Sequence, residues 1–157
     1  MNRAAIAVFG IGNPDRGDDA AGRRVATLLR GRVPDRVQVI EHDGEATSLL
    51  ARLEGLATAI LIDACSSGAP AGSVHRFDVC AAPLPQARFG VSTHDFGLAA
   101  AIELARTLGR LPPRCIVFAI EGEEFCAGAP LSPHVDSATH GVAQRVIDEL
   151  SVPPSLD

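Results

Sequence analysis

The chain has no tryptophan, no tyrosine and no lysine, so all 14 of its basic residues are arginine, and acidic residues outnumber them. With no indole or phenol to stack on bases and a net charge of -5, it lacks the basic surface by which a protein holds nucleic acid. The missing lysine reads as codon bias. No apolar run approaches the roughly 20 residues that a membrane-spanning helix needs, and no charged, apolar and cleavable leader opens the sequence. The expectation is a cytoplasmic protein that engages no membrane. The cysteines Cys65, Cys80, Cys115 and Cys126 show no C-x-x-C spacing, which excludes a zinc knuckle and, without a secretion signal, a disulfide framework. They are expected to be buried free thiols. Cys65 stands apart, two residues after Asp63 at a strand end, but it matches no nucleophile signature.

There is also no internal repeat and no second domain. A chain of 157 residues with 46% hydrophobic content is long enough to bury a substantial core. One domain over residues 1–150 is expected, with a frayed, flexible tail over 151–157.

What the sequence does have is concentrated in Ile6-Ala-Val-Phe-Gly-Ile-Gly-Asn-Pro-Asp-Arg-Gly-Asp-Asp19-Ala-Ala-Gly22. An apolar run ends at Gly10 and Gly12, and a short polar loop then delivers two adjacent carboxylates to a helix start. A dinucleotide fingerprint would need a third glycine where Asp15 stands. Asp15, Asp18 and Asp19 would also repel a pyrophosphate from that helix end. A cation suits the loop better. One of Asp18 and Asp19 is expected to cap the helix, which leaves the other in surplus.

Strands and helices alternate along the rest of the chain. Strands are expected at Ala5 to Phe9, Val37 to Ile40, Thr58 to Ile62 and Cys115 to Ile120, with a more polar edge strand from Ser73 to Val79. Helices are expected from about Asp19 to Arg30, along Leu49, Leu50, Leu53 and Leu56, and along Leu98, Ile102, Ala105 and Leu108 after Ser92-Thr93. A last one starts at Ser132-Pro133. The pattern predicts an α/β fold, a mostly parallel twisted sheet with helices on both faces. The stretch from Cys80 to Gly90, with Pro83, Pro85, Leu84 and Phe89, lacks periodicity and is expected to be a surface loop that receives a partner.

Such a sheet gathers Asp19, Asp43, Asp63, His94 and Glu121 at the C-terminal ends of strands or the helix starts beside them. Two carboxylates and an imidazole make a mixed oxygen and nitrogen set for a divalent transition metal, and three protein ligands leave positions open. Each residue also has an ordinary role. Asp63 can cap the turn after its strand, His94 can fill a first helical turn, His42 and Asp43 can shape a turn with Gly44, and Glu121 can be solvated. His75, His134 and His140 have surface or helix contexts.

The whole pattern resembles the nickel-iron hydrogenase maturation endopeptidases. The resemblance rests on Gly10-Ile-Gly-Asn13 with Asp18-Asp19-Ala-Ala-Gly22, Ile62-Asp63-Ala64, Ser92-Thr-His94, Ile120-Glu121-Gly122 and Leu131-Ser-Pro133, and it spans nearly the full chain. It implies an endopeptidase that removes the C-terminal extension of a hydrogenase large-subunit precursor after nickel insertion. Asp19, Asp63 and His94 would be the metal ligands, and the precursor would supply the nickel. Asp43 matches the family's additional acidic position and is a candidate catalytic base, an unassisted metal-bound water being the other. The family often has Glu where Asp19 stands, and Gly44-Glu45-Ala46-Thr47 departs from its usual Gly-Gly-Thr turn. No Ser-His-Asp set, nucleophile elbow or H-E-x-x-H helix offers another proteolytic mechanism. The expectation extends to a monomer; a non-catalytic nickel-sensing chaperone of the precursor is the alternative.

Overall fold

A computed structural model of the chain describes residues 5–85 and 97–152. The opening strand β1, Ile6–Ile11, leads through a 3-10 turn at Gly17–Ala20 into α1, Ala21–Leu29. There follow β2, Val37–His42; α2, Ala46–Leu53; β3, Thr58–Cys65; and β4, Val74–Asp78. The chain continues with α3, Gly97–Thr107; β5, Arg114–Glu121; and α4, Pro133–Ser151. The strands form one five-stranded sheet in the order β2-β1-β3-β5-β4, parallel except for the antiparallel edge strand β4. The expected α/β architecture is therefore the observed one.

Side-chain alternation along the strands splits the core into two layers. Ala7, Phe9, Leu61 and Val117 face α2 and α3 and pack with Leu49, Leu53, Leu98, Ile102 and Ala105. Val8, Ile60, Ile62 and Phe118 face α1 and α4 and pack with Val25, Leu29, Val135, Val142 and Val146. The central strands are buried on both faces, which is why they read as continuous apolar runs rather than alternating ones. Leu108 departs from its expected inner position and is 49% exposed, because α3 ends at Thr107 and the chain turns away.

Strand β1 and helix α1 meet closely at two glycines. A methyl group on Gly10 would lie 2.3 Å from the Gly22 carbonyl oxygen, and one on Gly22 would lie 2.3 Å from the Ile62 carbonyl oxygen. Only hydrogen fits at either position, so these glycines set how tightly α1 lies on β1 and β3.

Candidate functional site

The strand order places a crevice before any side chain is considered. From β1 the chain moves outward to β2, then returns across β1 to β3 on the other side, so the winding reverses between β1 and β3. In open α/β sheets such a reversal leaves the loops beyond the strand ends diverging around a binding crevice. The pairing of β1 with β3 ends at Gly10 and Ile62, and Asp63 is the next residue along β3. Asp19 comes from the loop after β1.

Asp63 is partly buried and accepts the N–H of Ala64 at 2.8 Å. Burial pushes its carboxyl well above the usual carboxylate range, the negative charge of Asp19 pushes it further, and the Ala64 N–H works in the opposite direction. Of the residues expected to gather here, Asp19 and Asp63 lie near enough for the charge of one to act on the other. Asp19 is held in turn by the N–H of Asn13, which donates to Oδ2 at 2.9 Å. Gly12, with φ of 140°, lets the chain pass over this point, since a Cβ there would lie 1.9 Å from the Asp19 carbonyl oxygen.

Neither Asp18 nor Asp19 caps α1, contrary to the sequence expectation; the residue before α1 is Ala20, with no side-chain cap. Asp18 is fully buried and faces away into a different task. Its Oδ2 accepts the N–H groups of Glu123 and Glu124 and the Ser132 hydroxyl at 2.9, 3.0 and 2.8 Å, and its Oδ1 accepts the Ser132 N–H at 2.7 Å. Burial would raise its carboxyl; the four donors outweigh that and hold it below the usual range. Asp18 therefore ties the opening loop to the segment between β5 and α4, a span of 114 residues at its longest.

Asp43 sits after the edge strand β2, on the side of β1 away from Asp63. It is exposed and its Oδ1 accepts the Glu45 N–H at 2.9 Å, an Asx turn that leads into α2. The Gly44 N–H donates to His42 Nδ1 at 2.8 Å, so the ring proton is on Nε2, which faces Ser48 Oγ at 3.0 Å. His42 shapes the turn, as expected. In place of the family's Gly-Gly-Thr turn, Glu45 caps α2, accepting from the N–H groups of Thr47 and Ser48. His94 lies outside the described residues, as do Ser92, Thr93 and Phe89.

Several expectations are overturned nearby. Glu121 is 1% exposed rather than solvated, because β5 runs one residue further and β3 three residues further than their apolar runs indicate. Its carboxylate accepts from the Ser67 N–H at 3.0 Å, from the Ser67 hydroxyl, and from His75 at 3.0 Å. His75 is accordingly a partner of a buried acid and not a plain surface histidine. Cys65 and Cys115 are buried thiols as expected, but Cys80 and Cys126 are exposed. Leu84 is buried in the core beside α3 and so is not itself part of a receiving surface, whereas Cys80, Ala81, Ala82, Pro83 and Pro85 are exposed as expected of a surface loop; residues 86–90 lie outside the described residues. A cleft of about 470 Å³ lined by Glu123, Glu124, Pro130, Leu131, Ser132 and Pro133 contains none of the candidate metal or catalytic residues.

These features define a doubly wound α/β domain that gathers carboxylates at its switch point, where nucleotide-binding relatives of the architecture present backbone N–H groups to a phosphate. Comparison with known proteins narrows the class. The chain belongs to the hydrogenase maturation protease family, whose sequence profile matches residues 24–149, a span that includes Asp43, Asp63 and His94 and begins just after Asp19. As a member it is an endopeptidase of hydrogenase maturation. The fold is shared with the hydrogenase maturating endopeptidase HybD of Escherichia coli, at a TM-score of 0.78 and 23% identity over 92% of this chain and 91% of that one. It is shared also with the [NiFe] hydrogenase maturation protease HycI of Thermococcus kodakarensis, at a TM-score of 0.71 and 21% identity over 95% and 94%. No curated protein sequence matches the chain at a significant level. Among the described residues, no helix is long and apolar enough to cross a membrane.

Proposed function

We propose that the chain removes the C-terminal extension of a nickel-iron hydrogenase large-subunit precursor, and that it does so by recognising nickel already held in that precursor. What carries this reading is the state of Asp63: a desolvated carboxylate at the switch-point crevice with the charge of Asp19 set against it. Two anions so placed gain most from a cation between them. The residue types suit a divalent transition metal: two carboxylates, with the imidazole of His94, outside the described residues, as the nitrogen donor that the family resemblance implies. The nickel is cargo of the substrate, and sharing it between the precursor and Asp19, Asp63 and His94 would anchor the cleavage segment and polarise its scissile carbonyl. A precursor without nickel offers no shared anchor, so premature cutting is suppressed. For moving the proton this reading has two candidates, Asp43 and an unassisted metal-bound water. The same reading has the chain work as a monomer in the cytoplasm.

The test is intact-mass spectrometry of the precursor after incubation with the protein. Nickel-loaded precursor is expected to lose its extension and nickel-free precursor to keep it. Binding of the loaded precursor with no change in its mass would make the chain a nickel-sensing chaperone, and equal cleavage of both forms would remove nickel from recognition. His94→Ala and Asp19→Ala are expected to abolish cleavage of the loaded form.

A further inference from the structure

Beyond Asp63, the same face of the sheet carries a second group of metal-binding side chains that belongs to none of the roles above. Cys65 closes β3 and lies directly opposite Glu121, which closes β5. His75 on the antiparallel edge strand β4 pairs with Ala119 and so reaches Glu121 along the diagonal. One donor atom from each of Cys65, His75 and Glu121 lies within 4.8 Å of the other two. His75 Nε2 already stands 3.0 Å from Glu121 Oε1. Three strands thus converge a thiol, an imidazole and a carboxylate on one point.

We propose that Cys65, His75 and Glu121 form a binding site for a borderline divalent cation of the zinc class, separate from the crevice of Asp19 and Asp63. The donor chemistry selects the ion. Sulfur, nitrogen and oxygen together suit zinc, cobalt(II) or nickel(II), whereas calcium and magnesium require oxygen throughout. Donor atoms around a tetrahedral zinc stand roughly 3.3–3.8 Å apart, from bond lengths of about 2.0–2.3 Å. The present cluster needs only a small inward adjustment of side chains.

The surroundings supply what a ligand set needs. The Ser67 N–H donates to Glu121 Oε2 at 3.0 Å and the Ser67 hydroxyl donates to Oε1, the oxygen that also meets His75, so Ser67 holds both carboxylate oxygens in place. An outer hydrogen bond of this kind fixes the orientation of a ligating carboxylate. His75 is stacked on Phe77, with ring centroids 6.2 Å apart and planes inclined by 16°, so the imidazole is aimed before any ion arrives. Glu121 and Cys65 are 1% and 5% exposed, and His75, at 21% for its side chain, gives the ion its route in. Binding converts the Cys65 thiol to a thiolate and releases its proton to solvent. The bound ion then clamps edge strand β4 to β3 and β5, with Cys65 about 7 Å along the strand from Asp63.

The geometry does not suit a nucleophilic Cys65. Burial pushes the Cys65 thiol up and the adjoining Glu121 carboxylate pushes it further, so without an ion it stays protonated and is a poor nucleophile.

The sulfur ligand distinguishes this site from the all-oxygen-and-nitrogen set of the processing reading, and the test uses it without any precursor. The full chain, carrying Cys80→Ser and Cys126→Ser to remove the exposed thiols, is stripped with chelator and titrated with cobalt(II). A near-ultraviolet thiolate-to-cobalt charge-transfer band is expected to saturate at one ion per chain and to be displaced by zinc. Cys65→Ser is expected to abolish the band and Asp63→Asn to leave it in place. His75→Gln, at a partly exposed edge position, should weaken binding by at least the roughly 10–100-fold typical of disturbed ligand support, with thermal unfolding confirming that it is folded. Absence of the band in the parent protein, its survival in Cys65→Ser, unchanged affinity in folded His75→Gln, or its loss in Asp63→Asn would each overturn the site.

Discussion

Asp18 and Asp63 are both aspartates delivered to the C-terminal side of the sheet, and they are opposites. Asp18 is fully buried and saturated by four donors, three of them backbone N–H groups, so its charge is wholly used in holding two distant loops together. Asp63 is only partly buried, yet among the described residues it takes one hydrogen bond, from its neighbour's N–H, and faces the like charge of Asp19. Depth of burial does not tell a structural acid from a functional one. Satisfaction separates them: among the described residues Asp63 is the carboxylate short of donors, and the proposed function gives that one to a cation.

The comparison breaks most directly at Asp63. Asp63→Asn is expected to abolish cleavage of nickel-loaded precursor while the thermal midpoint does not fall. The amide removes the repulsion from Asp19 that the folded state carries. Intact-mass and thermal unfolding measurements on the same sample check this, and a lowered midpoint would place Asp63 with Asp18 among the structural acids.

Asp43→Asn is expected to cut the cleavage rate by about 10²–10⁴-fold, the usual contribution of a general base, and to change stability by no more than about 0.5 kcal/mol, since Asp43 is exposed. Undiminished single-turnover cleavage would take the proton transfer away from Asp43.

Asp18→Ala strands three N–H groups and the Ser132 hydroxyl in the interior, and is expected to cost about 3 kcal/mol or more. For a chain of this size that is a fall of about 6–12 °C in the thermal midpoint. A smaller fall would mean that the loops it joins are held by other contacts.

The smallest effect is an acid limb. Because the Asp18 carboxyl is held below its unfolded value, its stabilisation is complete above about pH 4 and is lost as pH falls through the lower folded value. Urea midpoints measured between neutral pH and pH 3 should fall more steeply for the parent protein than for Asp18→Ala. Asp63 has the opposite sign: its raised carboxyl makes protonation on acidification favour the folded state.

Periodicity revealed the cores of the strands but not their ends. Thr58 to Ile62 was visible as apolar sequence, whereas Asp63 interrupts the apolar run, and Ala64 and Cys65, both buried, continue the strand beyond it through pairing with β5. That extension hid the partnership of Cys65 with Glu121, and His75 joins it only because β4 turns back antiparallel at the edge. A residue's opposite number in a sheet is a matter of register, which no spacing along the chain encodes.

The acidic opening loop, the alternation of strands and helices, and the family resemblance were all legible in the sequence, because each depends on neighbours in the chain. The division of labour between Asp18 and Asp19 was not. The two stand side by side in sequence, and what separates them is the arrival of Glu123, Glu124 and Ser132 more than 100 residues later, with donors that reach one carboxylate and leave its neighbour facing Asp63. Residue type fixed which chemistry was possible. Tertiary structure decided which carboxylate has its charge satisfied by buried donors and which is set against another carboxylate, since desolvation and donor count are properties of the packed chain alone.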